Sequence, residues 1–323
     1  MPLRSEPLAA AALLLGLAGC SGAPPAAITE ASGVTLWNGD LCVVDDSVSG
    51  AYFRAPLSGK VNGPLIRLND LGPVKVELPK VGLLVDIEGI ERLADGRIVL
   101  LSERLRSLVG EDGLIVEYDY PLTEIGRRGL EGVAVRPLED GSSRIAVLWE
   151  GGYPDVGSLQ AQVESRLGPG PFRPYVFVHD LKPGAVAGRV RMEQGVGAFE
   201  LEVPRPEGIE PEAQRFRAPD LVWHRLRDKG GEWGFIVLIT SQNAVPEPEF
   251  LFHWLQRYDG AGGRIGEPLD LGKLLPPHVA RANWEGLCWY EAGKKLLLVH
   301  EASRDLPAHV YILDLPRDWQ SER

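Results

Sequence analysis

Acidic residues recur at matching positions in three segments of the sequence, where their side chains could bind a divalent cation. One member of each pair precedes a glycine and opens an apolar run, and the other closes the next apolar run. These pairs are Glu88 with Glu103, Glu131 with Glu150, and Glu285 with Glu301. Carboxylate oxygens are the ligands that calcium prefers. Carboxylates that converge without a partner raise each other's proton affinity, which is a reason to expect a cation or an arginine beside them.

The segments between paired acids have the pattern of β-hairpins. Each holds two short runs rich in Val, Ile and Leu, separated by a turn sequence such as Asp95-Gly96, Asp140-Gly141 or Gly293-Lys294. In an antiparallel hairpin the start of the first strand lies beside the end of the second. We therefore expect Glu88 to lie near Glu103. We expect the same proximity for Glu131 with Glu150 and for Glu285 with Glu301.

The hairpins belong to a longer repeat. Two looser copies begin near residues 34 and 219, and a third strand is predicted after the hairpins at Leu114–Tyr118, Tyr175–His179, Phe250–Trp254 and Val310–Asp314. Repeated four-stranded units of about 40 to 50 residues are typical of a β-propeller. The sequence thus predicts an all-β propeller with four-stranded antiparallel blades. Five blades are counted, and the long interval between residues 131 and 219 leaves six open.

In a propeller the first strand of each blade lines the central channel, so the glutamates that open these strands should converge at its mouth. Glu88, Glu131 and Glu285 are the predicted metal ligands, and calcium is the predicted ion. The basic residues expected around the same rim are Arg104, Arg128, Arg281 and Arg304. A metal beside arginines is suited to phosphate or carboxylate groups. The alternative is that these arginines pair with the glutamates and close the channel.

The N-terminus resembles a bacterial lipoprotein leader. An apolar stretch from Leu8 to Ala18 is too short to span a bilayer and is followed by Gly19-Cys20. Leu17-Ala18-Gly19-Cys20 resembles a lipobox, in which cleavage precedes a lipidated cysteine; an ordinary signal peptide is the alternative. We expect a leader over 1–19, a lipidated Cys20 with a tether over 20–30, and one propeller domain over 31–323. The expected location is the cell envelope, at the periplasmic face of the outer membrane.

Composition narrows the choice of partners. The chain carries 45 acidic against 34 basic residues, so general electrostatic attraction to nucleic acid is not expected. Membrane contact is expected through the lipid anchor only, and the protein is expected to be a monomer. Cys42 and Cys288 lie in the first and last units, which a closed ring brings together. Two buried free thiols are favoured there over a disulfide.

The motifs also carry a family resemblance. Asp86-Ile-Glu-Gly-Ile90 with Leu101-Ser-Glu103, and Asn283-Trp-Glu-Gly-Leu287 with His300-Glu301, resemble the blade motifs of phytase-like esterase propellers. They are also similar to calcium-centred propellers such as the SdiA-regulated type and the calcium-activated nucleotidases. The resemblance covers residues 86–150 and 281–303. It implies metal-assisted hydrolysis of an ester or phosphoester, with Glu103, Glu150 or Glu301 as general base and Arg128 or Arg281 binding the anion.

Other catalytic plans have no support in the sequence. No Gly-x-Ser-x-Gly elbow occurs, and no histidines have the close spacing of a zinc-binding helix. His300 is the histidine inside a recurring motif, and a hydrogen-bonded structural role is favoured for it over catalysis. The segments 151–174 and 243–249 are long loops expected to flank the rim, as a lid or as passive insertions. Without an identifiable nucleophile, a non-catalytic scaffold that binds an envelope protein or glycan remains the alternative to an enzyme.

Overall fold

The chain forms β-strands that pair in five sheets. The computed structural model describes residues 27–57, 63–78, 86–111, 113–119, 129–151, 173–185, 188–191, 197–204, 214–243 and 250–320. The first strands are β1 (Ala31–Trp37), β2 (Asp40–Asp45), β3 (Ala51–Pro56), β4 (Leu65–Arg67), β5 (Val74–Glu77), β6 (Ile87–Arg92), β7 (Ile98–Ser102), β8 (Ser107–Gly110), β9 (Gly113–Asp119), β10 (Leu130–Pro137) and β11 (Ser143–Trp149). The later strands are β12 (Tyr175–Leu181), β13 (Gly188–Arg191), β14 (Gly197–Glu200), β15 (Gln214–Leu226), β16 (Glu232–Asn243), β17 (Phe250–Tyr258), β18 (Arg264–Asp270), β19 (Trp284–Glu291), β20 (Lys295–His300) and β21 (His309–Asp314).

Each sheet is one propeller blade. Blade 1 has the order β1-β2-β3-β5, blade 2 has β6-β7-β8-β9, blade 3 has β10-β11-β12-β14, blade 4 has β15-β16-β17-β18, and blade 5 has β19-β20-β21-β4. The first strands β1, β6, β10, β15 and β19 contact each other in turn, and β19 contacts β1 to close the ring. The predicted five-bladed propeller is confirmed.

Two blades lend a strand to a neighbour. Between β3 and β5 the chain leaves blade 1, and β4 pairs antiparallel with β21 of blade 5, where Ile66 lies opposite Val310. Between β12 and β14 it leaves blade 3, and β13 pairs in parallel with β9 of blade 2. The first exchange joins the beginning of the ring to its end, because blade 5 is incomplete without β4.

The sequence placed one strand wrongly. Leu114–Tyr118 was predicted to be the third strand of its unit, but it lies in β9, the fourth strand, and the third is the short β8. The error arises because β8 is only Ser107–Gly110, too short to stand out as an apolar run. The other predicted third strands lie in β12, β17 and β21 as expected.

Apolar side chains fill the spaces between neighbouring blades. Trp223 of blade 4 packs against Phe235 at 4.3 Å between ring centroids, in a cluster shared with Ala146 and Val176 of blade 3. Cys42 and Cys288 are buried free thiols, as favoured from the sequence. Ile28, inside the predicted tether, is buried in the cluster between blades 1 and 5, so ordered packing starts before residue 31.

Short 3₁₀ helices follow several strands, at Leu68–Leu71, Arg227–Lys229 and Leu271–Lys273. In the described part of the chain, no helix has the length and apolar character needed to cross a membrane. The predicted leader, Cys20 and most of the tether lie outside the described residues.

Candidate functional site

The candidate site is the channel mouth at which the first strands begin, called the upper mouth below. Each first strand has an irregular register at this end, as between Ile87 and Gly89 in β6 or between Trp284 and Gly286 in β19. A bulge of this kind places one extra residue in the strand and redirects its side chain. In three blades the extra residue is a glutamate, namely Glu88, Glu131 or Glu285.

The glycine after each glutamate allows the first strands to converge. A Cβ on Gly89 would lie 2.7 Å from Val133 Cγ1, and one on Gly286 would lie 2.6 Å from the Ser32 carbonyl oxygen. Gly33 of blade 1 has the same role, with a Cβ that would lie 2.7 Å from the Glu88 carbonyl oxygen. The repeated Glu-Gly motif therefore combines a bulged acid with a close backbone approach.

Blade 4 departs from this pattern through Asp220. Its register irregularity ends at Asp220, so this acid occupies the place that glycine has in blades 2, 3 and 5. The Asp220 carboxylate is buried in the channel wall and accepts hydrogen bonds from the backbone N–H groups of Leu221 at 2.8 Å and Leu287 at 2.7 Å. Burial raises the pKa of Asp220 well above its ordinary value, and these backbone donors oppose the shift. Asp220 thus links blade 4 to blade 5.

The acidic side of the upper mouth is centred on Glu88. Carboxylate oxygens of Asp86, Glu88 and Glu103 lie within 4.8 Å of one another, which confirms the expected proximity of Glu88 and Glu103. Burial raises the pKa of Glu88 well above its ordinary value, and the negative charges of Glu103 and Asp46 raise it further. Within the described chain, no hydrogen-bond donor reaches the Glu88 carboxylate.

A second acidic cluster continues this side onto blade 1. Glu30, Asp45 and Asp46 also have carboxylate oxygens within 4.8 Å of one another. Asp45 is well supplied with donors, since the N–H groups of Thr29 and Ser47 reach it at 2.7 and 3.1 Å. Asp46 differs, because burial and the neighbouring Glu30 raise its pKa to about 8. Its charge acts on Glu88, so the two clusters form one acidic arc over blades 1 and 2.

The opposite side of the mouth is neutralised by Arg217. Its guanidinium donates to Glu285 and, at 2.9 Å, to Asn283 Oδ1, and it lies 3.9 Å from Glu150. Asn283 in turn donates to Glu285 and, at 2.7 Å, to Glu301. Pairing of glutamates with an arginine therefore occurs on the side formed by blades 3, 4 and 5. Blades 1 and 2 keep an excess of carboxylates.

The structure separates the predicted metal ligands. Glu88 lies with Asp86 and Glu103, Glu285 is paired with Arg217, and Glu131 is 7% exposed. Among the described residues, Glu131 and Glu285 belong to neither acidic cluster. Glu285 is paired with Arg217 on the opposite side of the mouth from these clusters.

The arginine that contacts Glu285 and Glu150 is Arg217, which was not among the predicted anion-binding arginines. Arg104, Arg281 and Arg304 are exposed, and Arg128 lies outside the described residues. Arg217 was missed because it precedes the loosely matched fourth repeat. Its position shortly before Pro219-Asp220 in that repeat was the available signal.

The histidines near the mouth are held in neutral form. His300 Nδ1 lies 2.5 Å from the Glu301 carbonyl oxygen and its Nε2 lies 3.2 Å from His309 Nδ1, which matches the favoured structural role. Burial lowers the pKa of His300 to about 4. His253 is buried beside Arg217, and its pKa is lowered to about 3. The predicted flanking loops 151–174 and 243–249 lie almost wholly outside the described residues.

Comparisons with known proteins assign no family to this chain. No protein-family profile matches the sequence, and no curated protein matches it. An endo-arabinase from Bacteroides thetaiotaomicron is 8% identical with a TM-score of 0.47, covering 90% of this chain and 95% of that one. A streptogramin B lyase is 11% identical with a TM-score of 0.36, covering 90% and 85%. An α-L-arabinanase from Penicillium chrysogenum, complexed with arabinobiose, is 12% identical with a TM-score of 0.35, covering 90% and 75%.

Proposed function

We propose that the upper mouth binds a divalent cation, calcium by preference, through Asp86, Glu88 and Glu103. The observation that carries this proposal is the state of Glu88, a carboxylate among like charges with no hydrogen-bond donor from the described chain. A hard cation with several oxygen ligands would satisfy it, and carboxylates are the donors that calcium selects. Glu30 and Asp46 extend the acidic arc and would attract the ion toward the mouth.

The ion would give the mouth an electrophilic centre for an anionic substrate. We infer a metal-assisted hydrolase of esters or phosphoesters as the activity, in which the bound ion polarises the reacting carbonyl or phosphoryl oxygen. The residues of this chain would then position the substrate and move a proton. Arg217, already within reach of two carboxylates, fixes the positive side of the site.

Glu301 is the best candidate for the general base among the three proposed from the sequence. Glu103 lies in the acidic cluster and serves better as a ligand, and Glu150 is near Arg217. Glu301 is half-buried and receives one hydrogen bond, from Asn283 at 2.7 Å. It keeps a free lone pair for a proton from water, and Asn283 holds its orientation.

The metal proposal is tested by titrating chelator-treated protein with calcium, using calorimetry and the melting temperature. Wild type should bind calcium and melt at a higher temperature with it, because calcium binds the folded cluster and not the dispersed carboxylates. Glu88→Gln should lose this response. Glu285→Gln should keep it, since Glu285 is paired with Arg217. Glu267→Gln, at an exposed position on blade 4, is the matched control. Absence of binding at about 10 mM metal would refute the site.

The catalytic proposal needs an activity, found by screening calcium-loaded protein against phosphoesters, carboxylic esters and lactones. Glu301→Gln should lower turnover about a hundredfold, in the range expected for general base catalysis, while calcium affinity is unchanged. If calcium binds but no substrate in the panel turns over, the non-catalytic scaffold becomes the better account. A co-purifying envelope protein or glycan would then be its ligand.

We also propose that the domain acts in the bacterial envelope, anchored through Cys20. The support is the apolar stretch that ends at Gly19-Cys20. Ile28 packs in the cluster between blades 1 and 5, and seven residues, 21–27, lie between it and Cys20 in the sequence. A tether of this length would hold the propeller close to the membrane surface.

A further inference from the structure

The end of the channel opposite the acidic arc contains a cavity of about 330 Å³. This lower mouth is formed where the first strands end, and three indole rings contribute to its wall, from Trp223, Trp233 and Trp289. The indole N–H groups of Trp223 and Trp289 are used within the fold, donating to Ala134 at 3.2 Å and to the Trp223 carbonyl at 2.8 Å. These two N–H groups are therefore engaged, and the wall of the cavity is mostly apolar.

Arg136 is a charged residue of this wall, and one of its N–H groups has no hydrogen-bond acceptor in the described chain. Its guanidinium carbon lies 4.6 Å from the ring centre of Trp233 and 5.1 Å from that of Trp223, which fixes the group by cation–π contact. Its Nε is buried and has no hydrogen-bond partner in the described chain. Asp180, the acid whose charge acts on Arg136, is already engaged by Arg144 at 2.7 and 2.8 Å.

Arg136 is half-buried, and its buried Nε–H without an acceptor is costly; a carboxylate is the group whose two oxygens match the geometry of a guanidinium. We propose that the lower mouth binds a small carboxylate with a flat apolar body, whose carboxylate pairs with Arg136 and whose body lies on the tryptophan faces. The cavity volume is in the range of sites for small molecules. This site is separate from the acidic arc and does not depend on the function proposed there.

Glu91 makes the site sensitive to pH. It lines the cavity, accepts a hydrogen bond from Thr35 at 3.2 Å, and has its pKa raised to about 7 by burial. The charged and titratable groups around it are Arg92 on its own strand, Asp220 from β15 and Cys288 from β19, and Arg136 and Arg225 line the same cavity. Protonated Glu91 does not repel an anion, so affinity should decrease as the pH rises through about 7. Glu91→Gln should remove this dependence.

The test is calorimetric titration of the purified domain with phenylacetate at about pH 6, with phenylacetamide as the neutral analogue. Phenylacetate should bind, and phenylacetamide should bind at least about tenfold more weakly, since a hydrogen bond to a charged group is lost. Arg136→Gln should weaken phenylacetate binding by about tenfold to a hundredfold. Trp233→Ala should weaken both compounds, because it removes an apolar face; Trp233 is 38% exposed, so its loss should spare the fold.

Arg54→Gln is the matched control, because Arg54 lies 4.5 Å from the ring centre of Trp37 in an arginine–tryptophan pair outside the cavity. It should bind phenylacetate as wild type does. The proposal is overturned by any of three results: no phenylacetate binding at about 10 mM, equal binding of phenylacetate and phenylacetamide, or unchanged affinity in a folded Arg136→Gln variant. Binding of glucuronate in place of phenylacetate would also overturn it, since a sugar acid and not a flat apolar body would then be the ligand.

Discussion

At the scale of single residues, the pKa of Asp46 reflects its burial among the carboxylates of the acidic arc. Its pKa is raised from 3.8 to about 8, first by burial and then by Glu30. Between these two pH values the folded chain holds a proton that the unfolded chain has released. Since the folded state binds more protons in this window, the stability contributed by Asp46 is lost as the pH rises. A bound cation would lower the pKa of Asp46 again, because it stabilises the ionised carboxylate.

We therefore predict that metal-free protein becomes less stable as the pH rises from about 5 to about 8. Asp46→Asn should show a smaller decrease, because asparagine does not titrate. The melting temperatures of both proteins across this range, in chelator, provide the measurement. Calcium should stabilise wild type more at the upper end of the range. Parallel pH curves for the two proteins would show that Asp46 is ionised throughout.

Asp86 combines a charge with a strained backbone. It has a φ of 58°, in the left-handed region that non-glycine residues rarely adopt, and it lies beside Glu88 and Glu103. Such strain persists where the surrounding structure requires it, and it is frequent at functional sites. The position therefore supports a ligand role for Asp86, since glycine would serve the backbone better.

For Asp86→Gly we predict opposite effects on stability and on calcium affinity. The metal-free protein should be more stable by up to about 1 kcal/mol, because glycine adopts this conformation without steric cost. Calcium affinity should decrease about tenfold or more, because a charged ligand is lost. Asn38→Gly is the control, with a φ of 53° in the turn between β1 and β2. It should leave calcium affinity unchanged, and a loss there as well would assign the effect to the backbone.

At the scale of elements, the conformation at the start of each blade depends on how closely the first strands of neighbouring blades approach each other. Gly33 of β1 shows this most directly for Glu88: an added Cβ would lie 2.7 Å from the Glu88 carbonyl oxygen and 2.9 Å from Gly89 Cα, both in the backbone of β6. Backbone atoms cannot rotate away as a flexible side chain can. The distance between β1 and β6 would have to increase, and this distance also sets the position of Glu88.

Gly33→Ala should therefore destabilise the protein by about 1–3 kcal/mol, in the range of overpacked cores, and should weaken calcium binding. Gly188→Ala in the edge strand β13 is the control, since no atom lies within 4 Å of the added Cβ. It should be neutral or slightly stabilising, because alanine restricts the unfolded chain. Denaturant unfolding of the two variants gives the comparison. Equal stabilities would mean that the first strands separate easily.

The strands that the sequence predicted correctly are those with local signals. The Glu-Gly motifs gave three blade starts, because the bulged acid and the tightly packed glycine are adjacent in sequence. The exchange of β4 into blade 5 and of β13 into blade 2 was not predictable, since each depends on a pairing with a distant strand. The short β8 was missed because four residues carry little periodicity.

The site shows the same division between local and distant information. The proximity of Glu88 and Glu103 followed from one hairpin and is confirmed. The division of the rim into an acidic side and a neutralised side depends on Arg217, which reaches Glu285 from another blade. Asp220 was also missed, because it replaces the glycine by which the other repeats were recognised. A contact between blades leaves no periodic signal in the sequence.

At the scale of the whole molecule, the two ends of the channel carry side chains of opposite charge. The upper mouth carries the acidic arc, and the lower mouth carries Arg136 and Arg225 among tryptophans. Asp220 is buried in the channel wall and Glu91 lines the lower mouth, and burial raises the pKa of both. The two mouths are thus suited to ligands of opposite charge, a cation at one end and an organic anion at the other. One rigid ring of first strands joins both sites.

The last prediction concerns how this molecule is held in the cell. If Cys20 carries the lipid, Cys20→Ala should abolish labelling by a fatty-acid probe and release the domain into the soluble periplasmic fraction. Ser21→Ala, which keeps the cysteine, should remain labelled and membrane-bound. The soluble Cys20→Ala protein should show the calcium response of wild type, because Cys20 precedes β1 and does not belong to the acidic arc. Labelling that persists without Cys20 would refute the lipoprotein anchor and favour an ordinary signal peptide.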